Sequence, residues 1–345
     1  MTQSNSIRDS NTSTPTSLLN TIQPHPGNRA LNCFIKPYRK LRSLPPQNKS
    51  IFNGITKKIE DADWHHTTTH TQEISDSPLD GELLKIFDGH ENFPFLSIYV
   101  HGSWADNSRT AFSDLDDFII IDEEAIPNKQ AALAARNWLN LVDMRFCRID
   151  PLQHHGHWFT SRRSLERYDQ AVMPIEAIEG AIRIQGPDKI HTRHSKSTTQ
   201  KSLHRNIAGT IHHLEFLSKK VSSGSINFYE MKEYIGMILI LPAYIAQATG
   251  QRLNKKQAIE QAHQLFSTEA GQAIHYASET RNDWDRLLDP HLNRLHTYAR
   301  FFRNPHVHRF FAKKAAPRFD KETLEKAPLP NIDQLAKESQ NVLHQ

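Results

Sequence analysis

The feature that most constrains the fold is a pair of short apolar runs separated by a polar loop, FLSIYVHGSWADNSRTAFSDLDDFIIID. Continuous apolar runs of this length, the second of them β-branched, are typical of strands that are covered on both faces. Gly102 and Ser103 end the first run, and Asp114, Asp116 and Asp117 begin the second. The two runs therefore predict neighbouring strands that bring acids and a Gly-Ser pair to one edge of a sheet.

The acids predict a metal site. Asp114 and Asp116 are two residues apart, so on a strand their side chains share one face and Asp117 points to the other. Neighbouring carboxylates repel each other unless a cation lies between them. Carboxylate oxygens suit Mg²⁺, which binds one or two carboxylates together with substrate phosphates.

The Gly-Ser pair predicts a phosphate site beside the metal. Gly102 has no Cβ, so a phosphate can approach its backbone, and Ser103 adds a hydroxyl. The residues that follow are predicted to begin a helix, whose N-terminus favours anions. A metal next to bound phosphates is the arrangement that phosphoryl and nucleotidyl transfer require.

The segment VHGSWADNSRTAFSDLDDFIII resembles the signature of the DNA-polymerase-β-type nucleotidyltransferase superfamily. Asp117 departs from that signature, because an apolar residue is usual at its position. The resemblance implies an α/β (α+β) nucleotidyltransferase-like domain with a small mixed sheet, followed by an α-helical domain. The matching positions are Gly102, Ser103, Ser113, Asp114, Leu115 and Asp116.

The resemblance implies a Mg²⁺-dependent enzyme that transfers a nucleoside monophosphate from an NTP to a hydroxyl and releases pyrophosphate. ATP is the expected donor and AMP the expected transferred group. Asp114 and Asp116 are expected to hold two Mg²⁺ ions, and Gly102, Ser103 and Ser113 to contact the nucleotide. A small molecule, a protein and an RNA end all stay open as the acceptor.

The superfamily also implies a third carboxylate on a later strand, as a metal ligand and as the group that helps to deprotonate the acceptor. Asp143 and Asp150 are both candidates. Asp143 falls inside a helix predicted over residues 127–148, where its side chain is expected to be solvated. Asp150 follows that helix at a predicted strand and is preferred, although an Asx turn before Pro151 explains it equally well.

Two further side chains are candidate ligand contacts. His154 and His155 would point to opposite faces of an extended segment, so only one of them, His155, is expected to contact phosphate or acceptor. Lys256 lies in the first turn of a helix that Asn254 can cap, a place that favours acids. A nearby triphosphate would explain this lysine, and a solvated surface position is the alternative.

Composition limits the remaining classes. The chain has 345 residues and a net charge of +4, which agrees with a polyanionic ligand. Two scattered cysteines, Cys33 and Cys147, do not form a disulfide scaffold. The longest apolar run is too short to cross a bilayer, so a cytoplasmic protein without membrane contact is expected.

The predicted organisation has five parts. A disordered tail over residues 1–28 precedes helical segments over 29–92, which are expected to pack on a catalytic domain over 93–190. A polar linker, HTRHSKSTTQ, leads to the helical domain over 199–312. Residues 313–345 are expected to be extended or partly disordered.

Two other functions fit parts of the sequence. A catalytically inactive nucleotide-binding sensor would keep the fold but not the chemistry. Alternatively, Arg303 and His308 in RNPHVH resemble the motif of the HEPN ribonucleases, although Pro305 interrupts the continuous helix expected there. The same region interleaves Phe301, Phe302, Phe310 and Phe311 with basic residues. These rings are expected to anchor the segment to the core, and nucleic-acid binding is the alternative.

Overall fold

The computed structural model describes residues 64–170, 173–319 and 332–344. A five-stranded mixed sheet and a two-stranded ribbon occupy the first part of these residues, and helices dominate from residue 196 onward. The predicted mixed α/β class with a small sheet is therefore confirmed. The predicted tail over residues 1–28 lies outside the described residues, as does part of the predicted C-terminal tail.

The large sheet has the strand order β2–β6–β3–β4–β5, in which β3 is antiparallel to both of its neighbours. The outer pairs, β2 with β6 and β4 with β5, are parallel. The ribbon pairs β1 with β7. The strands are β1 (Trp64–His70), β2 (Gln72–Glu73), β3 (Leu96–His101), β4 (Asp116–Ile121), β5 (Trp158–Ser161), β6 (Ile182–Gln185) and β7 (Lys189–Ser195).

The two apolar runs of the sequence form the centre of this sheet. In the β3–β4 pair, Leu96 lies opposite Ile121 and His101 lies opposite Asp116. Most side chains of both strands are buried, as continuous apolar runs predict. The strand begins at Asp116, so Asp114 precedes it in the loop and does not share a strand face with Asp116, contrary to the prediction.

The β1–β7 ribbon lies where helices and a linker were predicted. Its strands pair from Trp64 opposite Ser195 to His70 opposite Lys189. Neither WHHTTTH nor KIHTRHS carries a strong apolar pattern, so each becomes a strand only through its distant partner. The segment HTRHSKSTTQ is therefore strand followed by helix, because β7 passes directly into the next helix at Lys196.

One long helix crosses the sheet domain, α2 (Lys129–Ile149), and confirms the helix predicted over 127–148. Asn128 caps its start by accepting a hydrogen bond from the backbone N–H of Ala131 at 2.9 Å. Two shorter elements complete this part of the chain. The helix after Ser77 is α1 (Asp80–Ile86), and Ser161 caps the 3₁₀ segment Arg162–Arg167.

The remaining helices form the C-terminal part of the chain. They follow a four-residue helix, α3 (Ile175–Ile178), that packs under β3. Their bounds are α4 (Lys196–Ser222), α5 (Phe228–Ala248), α6 (Lys255–Glu260), α7 (Ala262–Leu265), α8 (Thr268–Asn282), α9 (Trp284–Phe301), α10 (Pro305–Ala315) and α11 (Ile332–Asn341). None of the helices within the described ranges has the length and apolar character that a bilayer span requires.

The core of the helical part includes two residues from the sheet domain, Phe112 and Leu152. Phe112 contacts Trp284 of α9 edge to face, with ring centroids 5.1 Å apart. Phe112 lies in the loop between β3 and β4, and Leu152 lies in the loop after α2. The helices thus pack directly on the two loops that carry the predicted site residues.

Candidate functional site

Gly102 and Asp116 lie side by side at the edge of the sheet. Gly102 has φ +68°, a left-handed conformation that strains any residue with a side chain. A Cβ on Gly102 would lie 3.5 Å from the Asp116 carboxylate. Gly102 therefore both makes the turn after β3 and keeps the carboxylate open, since its own backbone is exposed.

Asp114 and Asp150 meet at a single lysine. The Nζ of Lys232, on α5, donates to Asp114 Oδ1 at 2.5 Å and also to Asp150 Oδ2. One ammonium bonds to both carboxylates, so the two acids lie within roughly 6 Å of each other. The Lys232 side chain is buried, as is that of Asp150.

Asp150 ends α2 and begins the loop over residues 150–157. Its Oδ1 accepts the backbone N–H of Leu152 at 2.9 Å, which is the Asx turn that the sequence allowed. Gln153 then fixes this loop to the acidic segment. The side chain of Gln153 accepts from Leu115 N at 3.1 Å and donates to Leu115 O at 2.8 Å, as a paired strand residue would.

Both His154 and His155 turn toward Asp114, contrary to the prediction of opposite faces. His154 Nδ1 lies 3.7 Å and His155 Nε2 3.9 Å from Asp114 Oδ2. The prediction assumed an extended strand, whereas β5 begins only at Trp158. His154 is fixed by a contact of its Nε2 with Tyr229 O at 2.9 Å, while half of the His155 side chain is exposed.

The helical part of the chain supplies two cations beside Asp114 and Asp116 and a third at the loop that precedes them. The first two are Lys232 and Lys255, at the start of α6, and Lys255 interacts electrostatically with Asp116 and Asp114. The third, Arg281 on α8, donates to Ser108 O at 3.0 Å and lies 3.4 Å from Ser113 Oγ. Asn254 caps α6 as predicted. The predicted contact, Lys256, is the next residue and is exposed, and the lysine that interacts with the two carboxylates is its neighbour Lys255.

The acids and cations of the site have shifted pKa values. Burial raises the pKa of Asp116 to about 6 and that of Asp150 to about 7. Burial also favours neutral Asp114, but the Lys232 ammonium outweighs it and holds the pKa of Asp114 well below its usual range. Desolvation and the nearby Arg281 charge lower the pKa of Lys255 to about 8, although its side chain is solvent-exposed.

The two other acids of this region belong to closed ion pairs. Asp117 is fully buried and contacts His157 Nδ1 at 2.5 Å, so it points away from the site as predicted. Burial alone would lower the pKa of His157, but Asp117 raises it to about 9. Asp143 is buried rather than solvated, and the Arg309 guanidinium binds both of its oxygens.

The serines of the predicted nucleotide site lie in the loop after β3. The predicted helix there is only a 3₁₀ turn, Gly102–Trp104. Ser103 accepts the backbone N–H of Ser108 through its carbonyl at 3.1 Å. The Ser113 hydroxyl accepts the N–H of Thr110 at 3.0 Å and lies 3.4 Å from Arg281 Nη2, so its contacts hold the loop together.

The donor set suits one Mg²⁺ better than two. Among the described residues, no group of three acidic, histidine or cysteine side chains has an arrangement that could hold a metal ion without further ligands. Mg²⁺ requires only one or two carboxylates when substrate phosphates complete its shell. Asp114 and Asp116 fit that requirement, but the Lys232 ammonium already lies between Asp114 and Asp150.

Sequence reasoning missed Lys232, Lys255 and Gln153. Lys232 was detectable, because it lies on the apolar face of its helix, in step with Phe228, Ile235 and Leu239, where a lysine requires a buried acidic partner. Lys255 shares its first-turn signal with Lys256, and the sequence does not distinguish the two; Gln153 carries no signal, since a loop glutamine is an ordinary surface residue.

Arg303 and His308 do not form an open pair in the described residues. Arg303 is exposed between α9 and α10, whereas His308 is buried with its Nε2 2.9 Å from Pro151 O. The helix is interrupted between them, because Asn304 caps a new helix that begins at Pro305. His308 therefore supports the loop after Asp150 and has no open side for a substrate.

Comparison with family models, with curated proteins and with solved structures gave no match to this chain.

Proposed function

We propose that this protein is a Mg²⁺-dependent nucleotidyltransferase, with a nucleotidyltransferase-like fold, that transfers a nucleoside monophosphate from an NTP to a hydroxyl. The proposal rests on the resemblance of the Gly-Ser and Asp-x-Asp segments to that superfamily. The observation that carries it is the pairing of Gly102 with Asp116 at the sheet edge, beside Lys255 and next to Asp114, which Lys232 binds. ATP is the expected donor.

The cations of the site have two roles under this proposal, to bind the phosphates of the nucleotide and to hold the carboxylates in place. Lys255, beside the acidic pair, and Arg281, at the loop that precedes this pair, are suited to the phosphates of the bound nucleotide. Lys232 holds Asp114 and Asp150 in place through its two contacts. Gly102 lets a phosphate approach the backbone beside Asp116.

Asp114 and Asp116 would hold one Mg²⁺, which polarises a phosphoryl oxygen and neutralises charge on the triphosphate when bound. The Lys232 ammonium takes the place that a second ion would need beside Asp150. Electron paramagnetic resonance with Mn²⁺ and a non-hydrolysable NTP counts the ions. One ion per chain is expected, and two would refute the role given to Lys232.

His155 is the side chain best placed to accept the proton of the acceptor hydroxyl. It is half exposed and lies within 3.9 Å of Asp114, whereas Asp150 is buried beneath Lys232. Burial lowers the pKa of His155, so its imidazole is neutral at pH 7 and able to accept a proton. Asp150 keeps its place in the acidic cluster through Lys232.

The decisive experiment is transfer of label from each α-labelled NTP, with Mg²⁺ and a cell lysate as the source of acceptor. Asp116→Ala is expected to abolish transfer while leaving thermal unfolding at pH 5 close to that of the wild type. Full activity of this variant would refute the proposal. Nucleotide binding without any turnover in the wild type would instead establish a sensor.

A further inference from the structure

The C-terminal ends of α2 and α9, together with α10, form one surface, which we call the α9–α10 face. It is defined by Arg148, Arg300, Phe301, Arg303, Phe310 and Lys314, all of them exposed. A cavity of about 480 Å³ opens on it between α2 and α9. The lining of the cavity is polar and basic: Arg148, Asn293, His296, Thr297 and Arg300.

The charged residues that define this face are all basic. Residues 290–319 contain seven lysines and arginines and no aspartate or glutamate, in a chain with 38 acidic residues. Two of the seven are paired with acids of other segments, Arg309 with Asp143 and Lys313 with Glu233 at 3.8 Å. Arg148, on α2, adds a further positive charge. A surface of this kind attracts a polyanion.

The aromatic rings of the face are exposed, contrary to the expectation that they anchor the segment to the core. Phe301 is 79%, Phe310 60% and Phe311 43% exposed. Phe302 stacks on Phe311 with ring centroids 4.8 Å apart, so the rings form a continuous cluster across the α9–α10 turn. Exposed rings among arginines and lysines are the elements on which unpaired bases stack.

We propose that the α9–α10 face binds single-stranded nucleic acid. The arginines of the cavity would contact backbone phosphates, and the exposed phenylalanines would stack on bases. The walls of the cavity are Arg, His, Asn and Thr side chains, which match a sugar-phosphate chain rather than an acyl chain or an apolar helix.

The α9–α10 face lies next to the candidate site, both along the sequence and through contacts with the loop after Asp150. Arg148 stands two residues before Asp150, and α10 contacts the loop after Asp150 through His308 and Arg309. If the chain transfers a nucleotide, as proposed above, the strand bound on this face is its acceptor. That last step rests on the proposed function, whereas the binding itself does not.

Binding is tested with the full chain and a fluorescein-labelled oligouridine of about 16 nucleotides, by anisotropy in EDTA so that no transfer occurs. Saturable binding that weakens with salt is expected. Arg148→Glu combined with Arg300→Glu is expected to lower affinity at least about ten-fold. It should also reduce the slope of log affinity against log salt by about 1.4, since each phosphate contact contributes about 0.7.

Two single variants complete the test. Phe310→Ala is expected to lower affinity about five-fold or more, with little change in the salt slope, because stacking is lost and charge is not. Lys129→Glu is the matched control. It makes the same kind of charge change at the other end of α2, about 28 Å from Arg148, and is expected to leave binding unchanged.

The proposal is overturned if the wild type does not bind the oligonucleotide, or if Lys129→Glu weakens binding as much as the arginine variants do. It is also overturned if vesicles of anionic phospholipid bind with the same variant dependence and the oligonucleotide does not. Two outcomes in the wild type distinguish this proposal from the proposed function. Binding of the oligonucleotide without any NTP turnover would refute only the transferase. Transfer to another acceptor without binding of the oligonucleotide would refute only the role of this face.

Discussion

Asp143, on α2, and Asp150, the residue that follows α2, lie seven residues apart, and each pairs with a cation from the helical part of the chain. Arg309 pairs with Asp143 alone. It binds both carboxylate oxygens and also donates to the carbonyls of Gln153 and His155. Every charge in this pair is matched, and nothing about it calls for a ligand.

Asp150 shares its cation. Lys232 also binds Asp114. Burial, with a smaller contribution from Asp114, raises the pKa of Asp116 to about 6. The cluster thus has three carboxylates and one buried lysine, which bonds to two of them, with Lys255 further out. Two neighbouring clusters of similar composition thus differ in charge balance, and the unbalanced one is the one suited to a metal and a polyphosphate.

The difference in charge balance between the two clusters predicts its largest effect when the acid of the balanced Asp143–Arg309 pair is removed. Asp143→Ala leaves the Arg309 guanidinium buried without its carboxylate, so we expect a loss of about 3–5 kcal/mol in the free energy of unfolding. Urea denaturation measures it. The fraction that stays folded should keep wild-type transfer activity, and a selective loss of activity at full stability would place Asp143 in the site instead.

The unbalanced cluster should respond in activity rather than in stability. His155→Gln removes the proposed proton acceptor from a half-exposed position, so kcat is expected to fall about 10²-fold with an unchanged midpoint of unfolding. His308→Ala, at the buried histidine of the same region, is the comparison. It should lower stability and spare kcat in the folded protein, and the reverse pattern would exchange the two roles.

The smallest expected effect is a gain in stability. The folded-state pKa of Asp116, about 6, lies above the ordinary value of 3.8, so its stabilising contribution is present at low pH and is lost as pH rises through about 6. Asp116→Asn should therefore raise the free energy of unfolding by about 1–3 kcal/mol at pH 8 and change it little at pH 4. Urea melts in EDTA at both pH values measure the difference, and destabilisation at pH 8 would contradict it.

The parts of the fold that the sequence predicted are those set by local pattern. The runs that became β3 and β4, the helix that became α2, and the approach of Gly102 to the acids all follow from neighbouring residues. The ribbon does not, because Trp64 pairs with Ser195 and neither strand is apolar. Lys232 lies 118 residues from Asp114, so its two partners are set only by the packing of the helices on the loops.

In the site, too, features set by neighbouring residues were predicted, and features set by long-range contacts were not. Asp117 was correctly placed on the face opposite Asp116, since alternation along a strand is a local property, whereas Asp114 precedes the strand and does not follow this alternation. His154 and His155 were placed on opposite faces because the loop was taken as extended, whereas Gln153 and Arg309 fold it back toward Asp114. Long-range hydrogen bonds of this kind leave no periodic trace in a sequence.

Under the proposed function, Lys232 has a consequence for the protein when no magnesium is bound. A metal ion that held the acids together would leave with a chelator, and the repulsion between the carboxylates would then loosen the site. An ammonium on a buried side chain cannot be extracted in that way. We therefore expect a magnesium-depleted protein to keep its acidic residues assembled, so that the proposed site is ready to bind the ion again.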